Sequence, residues 1–191
     1  MNNKFADKII SDMTLISTMA SLQNVNNTKK LTNSMINNLR YKYSRQNQII
    51  KLSEEIRYIN ELKYVEEIRY ENLLNCHVFI EKECESIYIP HYAIMTFVEN
   101  AFYHAFESKE CDWKIEIECR EHNGFVLVKI KDNGIGFSSE IYLNNNNNNS
   151  EYGSINSTYN RLIDHYKIND ILNIQSDSIT GTTVTLNLPR M

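Results

Sequence analysis

Asp132-Asn133-Gly134-Ile135-Gly136 is the stretch whose reading decides the fold. Upstream of it, Val126, Val128 and Ile130 alternate with Leu127, Lys129 and Lys131, which is the two-residue period of a half-buried strand. Asp132 is in phase with the apolar set, so it falls on the buried face at the strand's end. A carboxylate there is costly unless a donor satisfies it, and a ligand amino group would be such a donor. The two glycines that follow read as a tight turn built for close backbone approach. The chain has only five glycines, and Gly153 and Gly181 fall in other segments that would line the same pocket.

Outward from this strand, Trp113, Ile115, Ile117 and Cys119 alternate with charged residues as a second half-buried strand, and Asn123-Gly124 is a hairpin signal joining the two. Residues 76 to 83 read as a further strand. Pro90 suits the first turn of a helix running to about Phe106. Residues 138 to 152 read as a loop, with six consecutive asparagines from 144 to 149 that bury no apolar surface. A helix over 154 to 166 and two closing strands, 171 to 176 and 183 to 188 with a turn at Gly181-Thr182, complete an α/β sandwich of mostly antiparallel strands with helices on one face.

The first third is helical. Phe5, Ile9, Met13, Ile16 and Ala20 recur at three- and four-residue steps, as do Leu31, Met35, Leu39 and Tyr43. Ser53 can cap a third helix whose Glu54 and Glu55 suit its positive end, burying Ile56, Ile59, Leu62, Val65 and Ile68. A hairpin with one apolar stripe per helix lacks partners by itself, so pairing into a dimeric four-helix bundle is the expected solution; packing on the second half of the same chain is the alternative.

Composition narrows the function. The 191 residues carry a formal charge of -4, with no basic stripe to argue for nucleic acid. No apolar run approaches the roughly 20 residues of a membrane span, and the first residues have no signal-peptide core, which points to the cytoplasm with any membrane sensor missing or on a separate chain. Cys76, Cys84, Cys111 and Cys119 fit no common zinc spacing and read as packed, reduced thiols.

On the helix after Pro90, Glu99 and Asn100 interrupt an apolar pattern, with His104 one turn beyond Asn100. An amide oxygen is a hard ligand suited to magnesium, and a neighbouring carboxylate can accept a proton. The ordered set Glu99-Asn100, Asp132-x-Gly134-x-Gly136, Gly153 and Gly181-Thr182 resembles the nucleotide-binding fold shared by histidine kinases, heat-shock ninety-type chaperones, type II topoisomerases and mismatch-repair ATPases. The whole chain more narrowly resembles the cytoplasmic end of sensor histidine kinases of the LytS/YesM class, through Leu39-Arg40-Tyr41, Leu52-Ser53-Glu54-Glu55, Ile68-Arg69-Tyr70, Ile89-Pro90, Val98-Glu99-Asn100-Ala101, Asn156 and Arg161-Leu162.

That resemblance implies an α+β protein: a helical dimerisation and phosphoacceptor-like hairpin over 1–72, then an ATPase domain over 73–191. It implies ATP and magnesium as cofactors. Asp132, with Thr182 assisting, would take the adenine amino group; Asn100 would ligate magnesium, with His104 in the same set; Glu99 would be the general base or orienting carboxylate. Gly134, Gly136 and Gly181 would let the chain turn beneath the nucleotide, Gly153 would approach the phosphates, and 138–152 would be the lid. The implied partners are a second copy or an active kinase, and a response regulator.

The sequence departs from the class at one decisive place. Its first helix normally begins Asn-Pro-His-Phe, with the histidine receiving the phosphoryl group. Here the stretch is Asn2-Asn3-Lys4-Phe5, and no histidine precedes His77. An ammonium is a poor nucleophile at neutral pH. Glu151 also stands where the second glycine box has its first glycine, and Ser154 where it has leucine. Three functions remain: transfer to a histidine on a partner, a non-catalytic nucleotide-binding module, or a serine kinase of the anti-sigma type, against which the hairpin and Arg69-Tyr70 argue.

Overall fold

The computed structural model describes residues 3–44, 48–70, 73–104, 112–136 and 153–190. The expected lid with its asparagine run, Glu151, Cys111 and the end of the helix beyond residue 104 lie outside them. So do the side chains of Lys4, Phe5, His104 and Gly153's neighbour Ser154.

Strands β4 (Trp113–His122) and β5 (Phe125–Asp132) pair antiparallel with Ile117 opposite Ile130 and His122 opposite Phe125. Asn123 and Gly124 both take positive φ, +50° and +81°, which is the two-residue turn whose twist matches a hairpin. The hairpin forms the middle of a five-stranded sheet in the order β2-β4-β5-β7-β6, with β2 (Leu74–Ile80), β6 (Leu172–Asp177) and β7 (Gly181–Pro189). Among the described strands of this sheet, only β2 runs parallel to its neighbour, β4.

One face of the sheet is buried and the other wet, as alternation requires. Cys76, Ile115, Ile117, Cys119, Val126, Val128, Ile130, Val184, Leu186 and Leu188 turn inward. Over them lie α3 (Leu52–Tyr70), α4 (Met95–His104) and α5 (Gly153–Tyr166), whose Ile56, Ile59, Phe97, Val98, Ala101, Ile155 and Leu162 share the same core. The sandwich is therefore the α+β architecture that the strand and helix periods predict. Cys76, Cys84 and Cys119 are buried free thiols; burial pushes Cys76 and Cys119 up to about 12.

α1 (Asn3–Leu22) and α2 (Asn26–Ser44) form the expected hairpin, reversing at Asn24 with φ +57° and tied by the Ser17 hydroxyl donating to Asn33 Oδ1 at 2.8 Å. α2 packs on α3 in turn. Leu15, Ile16, Met19 and Leu22 remain 51–80% exposed along one side of α1.

Four local expectations fail for identifiable reasons. Pro90 does not open a helix; it closes β3 (Tyr88–Pro90), which pairs antiparallel with β1 (Ile49–Lys51) in a short ribbon. α4 starts only at Met95, after a turn in which Tyr92 has φ +65°. Ser53 is not a cap: Leu52 and Ser53 donate their amides to the carbonyls of Ile87 and Glu85. Ile68, on the last turn of α3, is 42% exposed. Finally, Gly181 and Thr182 open β7 rather than turning; the turn is residues 178–180, held by the Asp177 carboxylate, which accepts from the Ile179 and Thr180 amides at 2.8 and 2.7 Å.

Candidate functional site

Asp132 ends β5 with its side chain only 5% exposed, on the buried face as its phase requires. Its Oδ1 accepts from the Gly134 amide at 2.9 Å and the Thr182 amide at 3.2 Å. The carboxylate that sequence alone left needing a donor is thus held by two backbone donors, one from its own loop and one from β7. Thr182 donates its amide to Asp132, and its hydroxyl shares a hydrogen bond with the Ser176 hydroxyl at 2.9 Å. Asn133 anchors the turn: its Oδ1 accepts from the Lys114 amide at 2.8 Å and its Nδ2 donates to the Asp112 carbonyl at 2.7 Å.

The glycines have a reason that spacing does not reveal. A Cβ on Gly181 would stand 2.4 Å from the Asp132 carbonyl oxygen, and one on Gly136 would stand 2.1 Å from the Asp177 carbonyl oxygen. Both have positive φ, +82° and +61°. They let strand β7 and the turn after β6 close onto the Asp132 loop, so the floor of the site is glycine because backbone meets backbone. Asp132, Gly134, Gly181 and Thr182 form one contact cluster, and Gly136 lies against Asp177, which pairs with Gly181 in the β6–β7 ladder.

Glu99 and Asn100 come from α4, which packs against β5 on one side and α5 on the other. Both are half-buried, between the helix's apolar face and solvent. They share no described contact with the Asp132 cluster; α4 meets β5, the strand that Asp132 ends. His104 is the last residue of α4, and Gly153 the first of α5, the helix that returns from the segment expected to be the lid.

Glu99 is engaged from two directions. Lys42 on α2 donates to Oε1 and Oε2 at 3.0 and 2.9 Å, and the Tyr92 hydroxyl donates to Oε1 at 2.5 Å. Burial, and next the Glu99 carboxylate, push the Tyr92 hydroxyl far above the ordinary phenol range, so it keeps its proton and acts as the donor. Burial and the same carboxylate raise Tyr103 to about 12. The residues facing Glu99 enclose a cavity of about 280 Å³ with Met13, Met35 and Leu39 of the hairpin.

Glu55 was missed as a site-forming residue. It is fully buried on α3 and accepts from four donors: the Tyr41 hydroxyl at 2.7 Å, and the amides of Tyr92, Ile94 and Met95 at 3.0, 2.7 and 2.8 Å. It therefore satisfies the first free amides of α4, the helix carrying Glu99 and Asn100. Burial lifts its carboxyl above the usual range, against the pull of those donors. Left-handed backbone at an aromatic residue costs about 1–3 kcal/mol, and this network holds Tyr92 in it. From α5, Arg161 donates to the His91 carbonyl at 2.6 Å and to Thr158 Oγ1 at 2.9 Å, fastening α5 to the same turn. The signal available in sequence was the pair of segments containing Glu55 and Arg161, without a statement of what they hold.

Among the described residues no cluster of histidine, cysteine, aspartate or glutamate has the makings of a metal centre. The donor set fits magnesium better than a transition metal: one amide oxygen, Asn100, with a carboxylate beside it, leaving positions for water and phosphate oxygens.

No family model matches the chain. It is 28% identical over 147 residues to the sensor protein LytS of Bacillus cereus, covering 74% of this chain and 25% of that protein. It is 26% identical over 157 residues to the sensor protein kinase HptS of Staphylococcus aureus, covering 79% of this chain and 30% of that one. The chain thus spans about a quarter of the length of the curated relatives it matches. Among solved structures it superposes on the histidine kinase domain of the Erythrobacter litoralis EL346 blue-light activated kinase with TM-score 0.56 at 14% identity, covering 98% of this chain and 94% of that domain. It also superposes on the catalytic domain of the histidine kinase ThkA with TM-score 0.53 at 14% identity, covering 76% and 97%. The fold is that of a histidine kinase catalytic domain with a helical hairpin before it, and the sequence relatives it resembles are sensor proteins named LytS and the sensor protein kinase HptS.

Proposed function

We propose that the chain binds ATP with magnesium and transfers the γ-phosphoryl group to a histidine, in trans, on a partner of two-component signalling. The observation that carries this reading is the Asp132 carboxylate, buried at the end of β5 and aimed by the Gly134 and Thr182 amides. In that position it selects adenine through its amino group, with Gly134, Gly136, Gly181 and Thr182 around the base. Asn100, with His104 one turn on, holds magnesium and phosphate oxygens on the α4 side; the metal supplies neutralisation of charge on the phosphates. The amides opening α5 at Gly153 face the same anion. An acceptor imidazole nitrogen attacks the γ-phosphorus, the bond to the β–γ bridging oxygen breaks, and ADP leaves with its electron pair. Glu99 takes the imidazole proton.

Residues 1–72 serve dimerisation and 73–191 the nucleotide, with α3 acting in both because it packs on α2 and its Glu55 holds the start of α4. The exposed Leu15, Ile16, Met19 and Leu22 give the hairpin an apolar side for a second copy or a related kinase. A response regulator is the downstream partner and the cytoplasm the site of action; no helix among the described residues is long and apolar enough to cross a membrane. Lys4 supports a second reading, a non-catalytic ATP-binding module that regulates a partner kinase or regulator.

Complementation separates the two. A Lys4→His, Asn100→Asp chain offers an acceptor without a working site; the unaltered chain offers the site without an acceptor. Mixed with γ-labelled ATP and magnesium, the double variant is expected to gain acid-labile, base-stable label. No label, with ATP binding verified, would leave the non-catalytic module.

Asp132→Asn keeps the size of the side chain but presents a mixed donor and acceptor. It is expected to narrow the preference for ATP over GTP by about tenfold or more, the worth of one charge-assisted hydrogen bond. Competition binding with the two nucleotides reads this directly; a variant that still discriminates would remove Asp132 from base recognition.

A further inference from the structure

We propose that Tyr92 is a positioning residue for Glu99, holding Oε1 of the carboxylate through its hydroxyl so that Oε2 is presented for proton transfer. The proposal rests on the reading of Glu99 as the proton acceptor.

Three observations converge on it. Tyr92 sits at φ +65° in the turn before α4, a conformation that bulky side chains rarely adopt and that persists only where surroundings impose it. The surroundings are specific. Glu55 takes the Tyr92 amide at 3.0 Å, the Thr96 hydroxyl donates to the Tyr92 carbonyl at 2.9 Å, and the Tyr41 ring lies 5.6 Å away, centroid to centroid. The outcome of that backbone is a phenol directed across the start of α4 onto Glu99 Oε1 at 2.5 Å.

Lys42 is the other donor to Glu99, but the two differ in kind. Lys42 belongs to α2 of the hairpin, and its side chain is 40% exposed. A change of its side-chain rotamer removes it while α2 stays in place. Tyr92 is three residues before α4 and fixed to Glu55, so it travels with the helix that carries Glu99. When Lys42 withdraws, Oε1 stays occupied and Oε2 is left as the acceptor. A carboxylate has about four acceptor positions, so the phenol does not block the second oxygen.

The test uses the full chain and MgATP hydrolysis, in which water replaces the acceptor nitrogen. The water oxygen bonds to the γ-phosphorus, the bond to the bridging oxygen breaks with its electrons going to ADP, and the water proton goes to Glu99. Tyr92→Phe removes only the hydroxyl. It is expected to lower kcat about tenfold while MgATP affinity stays within about twofold, the signature of an interaction that aids turnover rather than binding. In a Glu99→Gln background the same change is expected to have no further effect, because the two act as a unit. Three results would overturn the proposal: unaltered turnover in Tyr92→Phe, an equal loss with and without Glu99, or parallel loss of affinity and thermal stability, which marks a merely structural tyrosine. If Glu99→Gln itself turns over normally, or the unaltered chain binds MgATP and never hydrolyses it, the reading of Glu99 falls and the role of Tyr92 with it. If Glu99→Gln is slow and Tyr92→Phe is not, only the tyrosine falls.

Discussion

Asn100→Asp is expected to abolish magnesium-dependent nucleotide binding, with a loss of affinity of at least about 100-fold. The change adds one negative charge and removes no bulk. Two unit charges about 4 Å apart near a protein surface interact by about 4 kcal/mol, and ATP brings several negative charges to this place. A new carboxylate can still touch the metal, but it also faces the phosphates, next to Glu99 on the same turn of α4. The neutral amide would avoid that conflict: it would give magnesium an oxygen and leave the metal's charge for the phosphates. Asn100 is half-buried on the outer side of α4, apart from the Phe97, Val98 and Ala101 core, so the fold is expected to survive. Calorimetric titration with ATP, with magnesium and with chelator, checks both points. Unchanged affinity would take Asn100 out of the site.

Glu55→Ala is expected to be the most damaging single change to stability, on the order of 3–5 kcal/mol. It strands four donors at once: the Tyr41 hydroxyl and the amides of Tyr92, Ile94 and Met95. A buried donor left without an acceptor costs about 1–3 kcal/mol, less whatever water recovers by entering the gap. Glu55→Gln keeps the shape but turns an amide NH2 toward donors, so it is expected to fall between wild type and alanine. Urea unfolding of the three proteins measures the order. Loss of less than about 1 kcal/mol in Glu55→Ala would mean that α4 is started by packing alone. The functional consequence is that Glu55 links Tyr41 on α2 to the helix bearing Glu99 and Asn100, so weaker nucleotide binding is expected to accompany the lost stability.

What could be read in advance follows the range of the physics. The β4–β5 hairpin is written in local alternation and an Asn-Gly turn, so its register and the buried phase of Asp132 were legible. The two helices of the hairpin and α3 were legible from their 3.6-residue stripes. The β1–β3 ribbon was not: its strands are three residues each, and the Ile-Pro pair that ends it reads equally well as a helix start. Glu55 beside Glu54 at a helix beginning reads as a dipole partner of its own helix. Its true use lies 37 to 40 residues later, in amides whose need for an acceptor arises only after folding. The same distance hides the Lys42–Glu99 pair, 57 residues apart, and the strained backbone of Tyr92. The glycines were legible as special positions but not for the reason found, because the carbonyls they must clear belong to other strands.

We propose this chain as an adenine-selective nucleotide-binding module built on the histidine kinase fold. Calorimetric titration of the full chain with MgATP, and in parallel with MgGTP, tests it most directly. Saturable binding of one ATP per chain is expected, with GTP weaker by about tenfold or more. No binding of ATP, or equal binding of both nucleotides, would contradict it.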